Sequence, residues 1–152
     1  VDESKTPSSK FQVQSSRHTP AEEERSKVVP GRANTLVSSF GYAFAGLGYC
    51  LRTQRNFRIH LSIGLLGSIA GLLFGLSLLE WAVFGVMVVT VLAAEMVNTM
   101  VEALVDLVTS EYHPLAKVAK DVAAGVVLLT AIGSVVVGTL IFLPKLLTAL
   151  RI

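Results

Sequence analysis

Glu95, Asn98, Glu102 and Asp106 recur at steps of three, four and four residues inside a stretch that is otherwise apolar. At about 100° per residue these steps return to one direction, so on a helix the four side chains form a single ridge roughly 16 Å long. A carboxylate at mid-bilayer costs about 2.5–3.5 kcal/mol even on insertion scales. Three acids within twelve residues are therefore expected to serve chemistry rather than packing. Hard oxygen donors on one face, with Lys120 and Asp121 further along the chain, suit a magnesium nucleotide. Mg²⁺ takes one or two protein carboxylates and completes its octahedron with water and phosphate. Glu102 and Asp106, with the amide of Asn98, form such a rim. Lys120 offers a point charge to phosphates, and Asp121 can position an amine, a ribose or a metal water. Glu95, the deepest acid, is the candidate general base toward an alcohol, and phosphoryl transfer asks little more of a protein than positioning and charge neutralisation.

The elements that must hold this ridge are membrane helices. Of 152 residues, 52% are hydrophobic and only 16% charged, against about 25% charged in soluble domains. The mean hydropathy is +0.62. A pI of 8.9 does not indicate nucleic acid, because nine of the thirteen Lys and Arg fall in residues 1–58 and none lies between Ile59 and Ala116. That distribution is topological and places the basic N-terminal region on the cytoplasmic side. The single cysteine, Cys50, has no Cys or His neighbours at zinc-site spacing.

Residues 1–31 are rich in Ser, Lys, Glu and Pro and nearly devoid of large apolar side chains, which predicts a disordered cytoplasmic leader without the apolar core of a secretory signal. Residues 32–152 form one membrane domain. From about 33 to 52, Leu36, Val37, Phe40, Phe44, Leu47 and Leu51 recur at helical steps with Asn34, Thr35, Ser38 and Ser39 between them. This is an amphipathic helix lying along the interface, followed by Arg52, Arg55 and Arg58. Three spans follow at about 58–79, 81–108 and 115–143, with Glu80 and Trp81 marking the far interface and Pro144–Lys145 ending the third. The fold class is thus all-α: an N-terminal surface helix plus three transmembrane helices. The sequence predicts a multi-pass protein of the cell inner (plasma) membrane, its N-terminus and site cytoplasmic. Gly67, Gly71 and Gly75 are read as generic close-packing positions. So thin a bundle is expected to bury its polar face by oligomerising.

Other polar residues have plainer readings. His60 and His113 are read as interfacial side chains rather than metal ligands, and Lys117 as an interfacial snorkeller. Asn98 alone would be interhelical glue, and Tyr42 and Tyr112 belt aromatics. Gly133 to Thr139 has P-loop spacing but no lysine, and falls inside an apolar span.

The runs Glu95-Met-Val-Asn98-Thr-Met-Val-Glu102-Ala-Leu-Val-Asp106, Ser110-Glu111-Tyr112-His113 and Ala119-Lys120-Asp121 closely resemble the prokaryotic diacylglycerol kinase and undecaprenol kinase family of small membrane enzymes. Gly41-Tyr42, Gly46-Leu47 and Arg55-Asn56-Phe57-Arg58-Ile59-His60 are similar to it as well, so the likeness spans about residues 35–145. The resemblance implies a homotrimer with active sites shared between subunits, which moves the γ-phosphate of ATP, with Mg²⁺ as cofactor, to a lipid hydroxyl. It implies Glu95 as base, Asn98 as its catalytic and substrate-binding neighbour, and Glu102 at the metal. It further implies nucleotide contacts from Tyr42, Glu102, Asp106, Tyr112, Lys120 and Asp121. Many members carry a glutamate at the position of Gln54, which here offers the metal only a neutral carbonyl oxygen. The Arg55–His60 stretch looks more like the branch acting on undecaprenol in Gram-positive bacteria and on lipids in cyanobacteria, which leaves the lipid open. The expected partners are a membrane lipid, ATP and further copies of the chain, and no nucleic acid. The rival reading is a small transporter or ion pathway using the same acids, although no repeat or pair of broken helices supports alternating access.

Overall fold

The computed structural model describes residues 36–150. Residues 1–31, expected as a leader, and the first residues of the surface helix lie outside that range. Four helices follow one another: α1 Leu36–Thr53, α2 Arg55–Phe74, α3 Leu78–Val108 and α4 Pro114–Ala149. No strand occurs among the described residues. The last three helices are long and apolar enough to cross a membrane. At 1.5 Å per residue α2 is about 30 Å long, one hydrocarbon core, whereas α3 and α4 reach about 46 and 54 Å. Their polar ends therefore project past the acyl region.

The turns differ from the expected boundaries for local reasons. The first span stops at Phe74 because Gly75 adopts φ +65°, a left-handed cap that returns its N–H to Gly71. Only glycine takes this conformation without a Cβ penalty. Ser77 then opens α3 with a capping box: its Oγ accepts from Glu80 N at 3.4 Å, and Glu80 Oε2 accepts from Ser77 N at 2.6 Å. At the other end of α3, Thr109 is extended and its hydroxyl closes a turn on Glu111. His113 caps α4, its Nδ1 accepting from Leu115 N at 3.2 Å, with Pro114 in the first turn. The helix α4 runs through Pro144 to Ala149 rather than ending there. Proline removes its own N–H from the ladder and crowds the carbonyl four residues earlier, yet the turn beyond is held by Thr148 Oγ1 donating to Pro144 O and by Leu150 N donating to Leu146 O, both at 2.9 Å.

Packing between elements is confined to the three long helices, and most of it lies between α3 and α4. These two run antiparallel, with an ion pair at each end. Glu80 meets Lys145 at 3.1 Å and Asp106 meets Lys120 at 2.6 Å, pairs separated by 26 residues on α3 and 25 on α4. Phe74, Trp81, Phe84 and Phe142 form a chain of edge-to-face rings 5.9–6.5 Å apart that ties α2, α3 and α4 together near the Glu80 end. The α2 glycines make room for it. A Cβ on Gly67 would stand 2.7 Å from the Phe84 ring and one on Gly71 2.9 Å from Trp81. Gly75, by contrast, has open space and serves the turn.

Candidate active site

Along α3 the ridge descends from burial to water. Glu95 is 2% exposed, Asn98 and Glu102 are half-buried and Asp106 is exposed. Helical spacing puts them on one face; the flanking helices decide what each one meets. At the top, His60 of α2 brings Nε2 to 3.4 Å from Glu95 Oε1. That approach has charge-pair distance without hydrogen-bond geometry, so Oε1 is buried with no hydrogen-bond partner among the described residues. Thr99 donates its hydroxyl to Glu95 O at 2.9 Å, which satisfies the backbone and leaves the carboxylate free.

One turn on, Asn98 Nδ2 donates to Glu102 Oε1 at 3.1 Å. The amide nitrogen is thereby committed to the acid, and its carbonyl Oδ1 is buried without a partner. Two oxygen donors, the Glu102 carboxylate and the Asn98 carbonyl, are thus adjacent on the ridge. Among the described residues no group of three His, Cys, Asp or Glu side chains could enclose a metal by itself. Such a donor set fits a cation that arrives already bound to phosphates, as Mg²⁺ does. It does not fit one caged entirely by protein.

At the exposed end, α3, the 109–113 turn and α4 surround a cavity of about 630 Å³. Asp106, Tyr112, Lys117, Lys120 and Asp121 line it. Lys120 holds Asp106, and Lys117 pairs with Asp121 one turn along α4. Four of the residues expected at a nucleotide, Asp106, Tyr112, Lys120 and Asp121, therefore share one pocket. Tyr42 does not join them: it lies on α1, more than half exposed, and lines neither this cavity nor the apolar one described next. Gln54 is the extended N-cap of α2, and its side chain makes no capping bond.

A second cavity of about 390 Å³ runs between α2, α3 and α4, lined by Gly64, Gly67, Met87, Val91 and Phe142 among other apolar groups. His60 and Ser134 are its two polar side chains. Its presence was not legible in the sequence, because it forms where α2, with its small residues, α3 and α4 come together. Nor was the role of His60, which reads in isolation as an interfacial residue. The available signal was register: an α2 that starts near Arg55 and runs antiparallel to α3 brings position 60 level with position 95. The P-loop-like run lies wholly within α4, where Thr139 bonds its own helix at Val135 O.

Three spans, a graded acidic ridge, two lysines at its wet end and an apolar cavity at its dry end are the arrangement expected of a small polytopic membrane phosphotransferase. Comparison with known proteins agrees. The family model described as prokaryotic diacylglycerol kinase matches residues 41–142. An undecaprenol kinase of Bacillus subtilis (strain 168) is 42% identical over 113 residues, covering 74% of this chain and 92% of the relative. A diacylglycerol kinase of Synechocystis sp. is 46% identical over 117 residues, covering 76% of this chain and 67% of the relative. The chain belongs to the prokaryotic diacylglycerol kinase family and is a membrane lipid kinase.

Proposed function

We propose that the chain transfers the γ-phosphate of ATP to the hydroxyl of a long-chain membrane lipid, at the cytoplasmic face of the plasma membrane, with Glu95 as the general base. The observation that carries this reading is the buried, unpartnered Oε1 of Glu95 at the head of a ridge whose other end opens into a cavity lined by two lysines. An orphaned carboxylate oxygen in a dry site costs stability, and it has a use if a substrate hydroxyl donates to it.

In this reading Glu95 accepts the hydroxyl proton as the alcohol oxygen bonds to the γ-phosphorus. The bond from that phosphorus to the β–γ bridging oxygen breaks, and ADP leaves. Asn98 holds Glu102 in place beside the reacting groups. Lys120 turns from Asp106 toward the phosphates, while Asp106, Asp121 and Tyr112 line the rest of the nucleotide pocket. Glu102 and the carbonyl of Asn98 would hold Mg²⁺, which supplies charge neutralisation at the phosphates; Gln54 contributes at most a neutral oxygen. Tyr42 reaches a nucleotide only on a neighbouring subunit or after α1 moves, which is one reason to assign a homotrimer with shared sites. The other is the apolar α4, whose most hydrophobic stretch has no buried residue within one protomer.

The apolar cavity accommodates part of an aliphatic chain and does not distinguish two acyl chains from a polyprenyl chain. The two relatives are named for those two substrates. The deciding experiment presents purified protein in mixed micelles with MgATP and, side by side, diacylglycerol and undecaprenol, and measures labelled phospholipid. Product from at least one lipid is expected. Cation flux without ATP consumption would instead support a transporter.

A further inference from the structure

Among the described residues His60 is the one titratable side chain on another helix that reaches Glu95, with Nε2 3.4 Å from Oε1. It also lines the apolar cavity between α2, α3 and α4, whereas Glu95 does not. The imidazole therefore stands between the buried acid and the space open to an aliphatic chain. Among the described residues no other side chain bonds the Glu95 carboxylate: Thr99 donates only to its main-chain carbonyl, and Glu102, two turns along the ridge, is engaged by Asn98. A carboxylate buried to 2% exposure is confined by packing, but packing sets no hydrogen-bond direction for its oxygens, and a general base needs one. Misplacement of a reacting group by about 1 Å can cost a hundredfold in rate. Catalytic hydrogen bonds commonly tighten in the complex with substrate.

We propose that His60 is the positioning residue for Glu95: its Nε2–H closes on Oε1 when a lipid chain fills the cavity, fixing the carboxylate so that the remaining acceptor position of Oε1 is held toward the alcohol. Through the same contact His60 forms the polar end of the cavity, so the hydroxyl of the lipid is brought to rest beside the pair. The proposal rests on the lipid kinase reading with Glu95 as base.

Two His60 variants and one Glu95 variant of the full chain in detergent test it. In His60→Leu, kcat should fall about 10- to 100-fold while the apparent KM for MgATP stays unchanged. In His60→Gln, whose side-chain amide presents an N–H to the same oxygen, most of kcat should return. Independently of activity, thermal unfolding of wild type, His60→Leu, Glu95→Gln and the double variant should be non-additive, because the two side chains touch. Full kcat in His60→Leu, equal losses in the Leu and Gln variants, or additive Tm shifts would each overturn the proposal. If wild type phosphorylates no lipid, the kinase reading fails on its own, while the thermal cycle still reports whether the pair is coupled.

Discussion

The two ends of the α3–α4 pair are built from the same parts and leave their polar groups in different surroundings. Each joins an acid of α3 to a lysine of α4, Glu80 to Lys145 at one end and Asp106 to Lys120 at the other. At the Glu80 end the polar groups close on one another. Ser77 and Glu80 satisfy each other's backbone N–H in a capping box, Lys145 completes the carboxylate, and aromatic rings seal the layer beneath. At the Asp106 end the ion pair opens a series that runs inward to Asn98 and Glu95, two of whose oxygens have no partner. An ion pair is thus a poor marker of function, since exposed pairs contribute little either way. Surplus hydrogen-bonding capacity in a dry place is a better one, because burial without a partner is selected against unless a ligand uses it.

Breaking that contrast should produce effects in a definite order. The largest is Glu95→Gln, which keeps the shape of the ridge and removes the proposed base: transfer should fall by about 10²–10⁴-fold, with an elution volume on size-exclusion chromatography equal to that of wild type. Unimpaired turnover would show the base to be another group. Next is Lys120→Met, which removes the proposed charge-assisted contact to phosphate and should raise the apparent KM for ATP about tenfold or more. A constant equal to that of wild type would move the nucleotide away from α4. Smaller effects belong to the far end. Gly67→Ala places a Cβ 2.7 Å from the Phe84 ring and should cost about 1–3 kcal/mol of stability. Partial recovery in Gly67→Ala/Phe84→Leu would confirm the clash as the cause. Smallest of all, Ser77→Ala removes the cap and should cost about 1 kcal/mol, lowering Tm in detergent while leaving both kcat and KM as in wild type. A kinetic defect in Ser77→Ala would mean that the two ends are not independent after all.

Much of the site could be read directly from residue spacing. The Glu95–Asp106 ridge needs only the helical repeat, and the hydropathy of residues 55–149 demands helices long enough to span a bilayer. Boundaries were less legible. Glu80 and Trp81 look like the far turn because both residue types favour interfaces, yet the chain turns at Gly75–Ser77, and Glu80 belongs to the first turn of the next helix. Pro144 looks like a terminator, yet α4 continues past it. In both cases a residue type with a strong average preference met a local hydrogen-bond arrangement that offset it.

Taken alone, the amino-acid order determined which residues share a helix face, that three of the helices are membrane-length, and that the ridge carries more charge than packing could justify. Those follow from short-range periodicity and composition. Only the tertiary structure decided that His60 meets Glu95, that Lys120 meets Asp106, and that small α2 residues leave an apolar cavity beside the buried acid. Periodicity sets direction around one axis. Contacts between helices depend on the axial offset of one helix against the next, which here is set by a left-handed glycine, a capping box and the 109–113 turn.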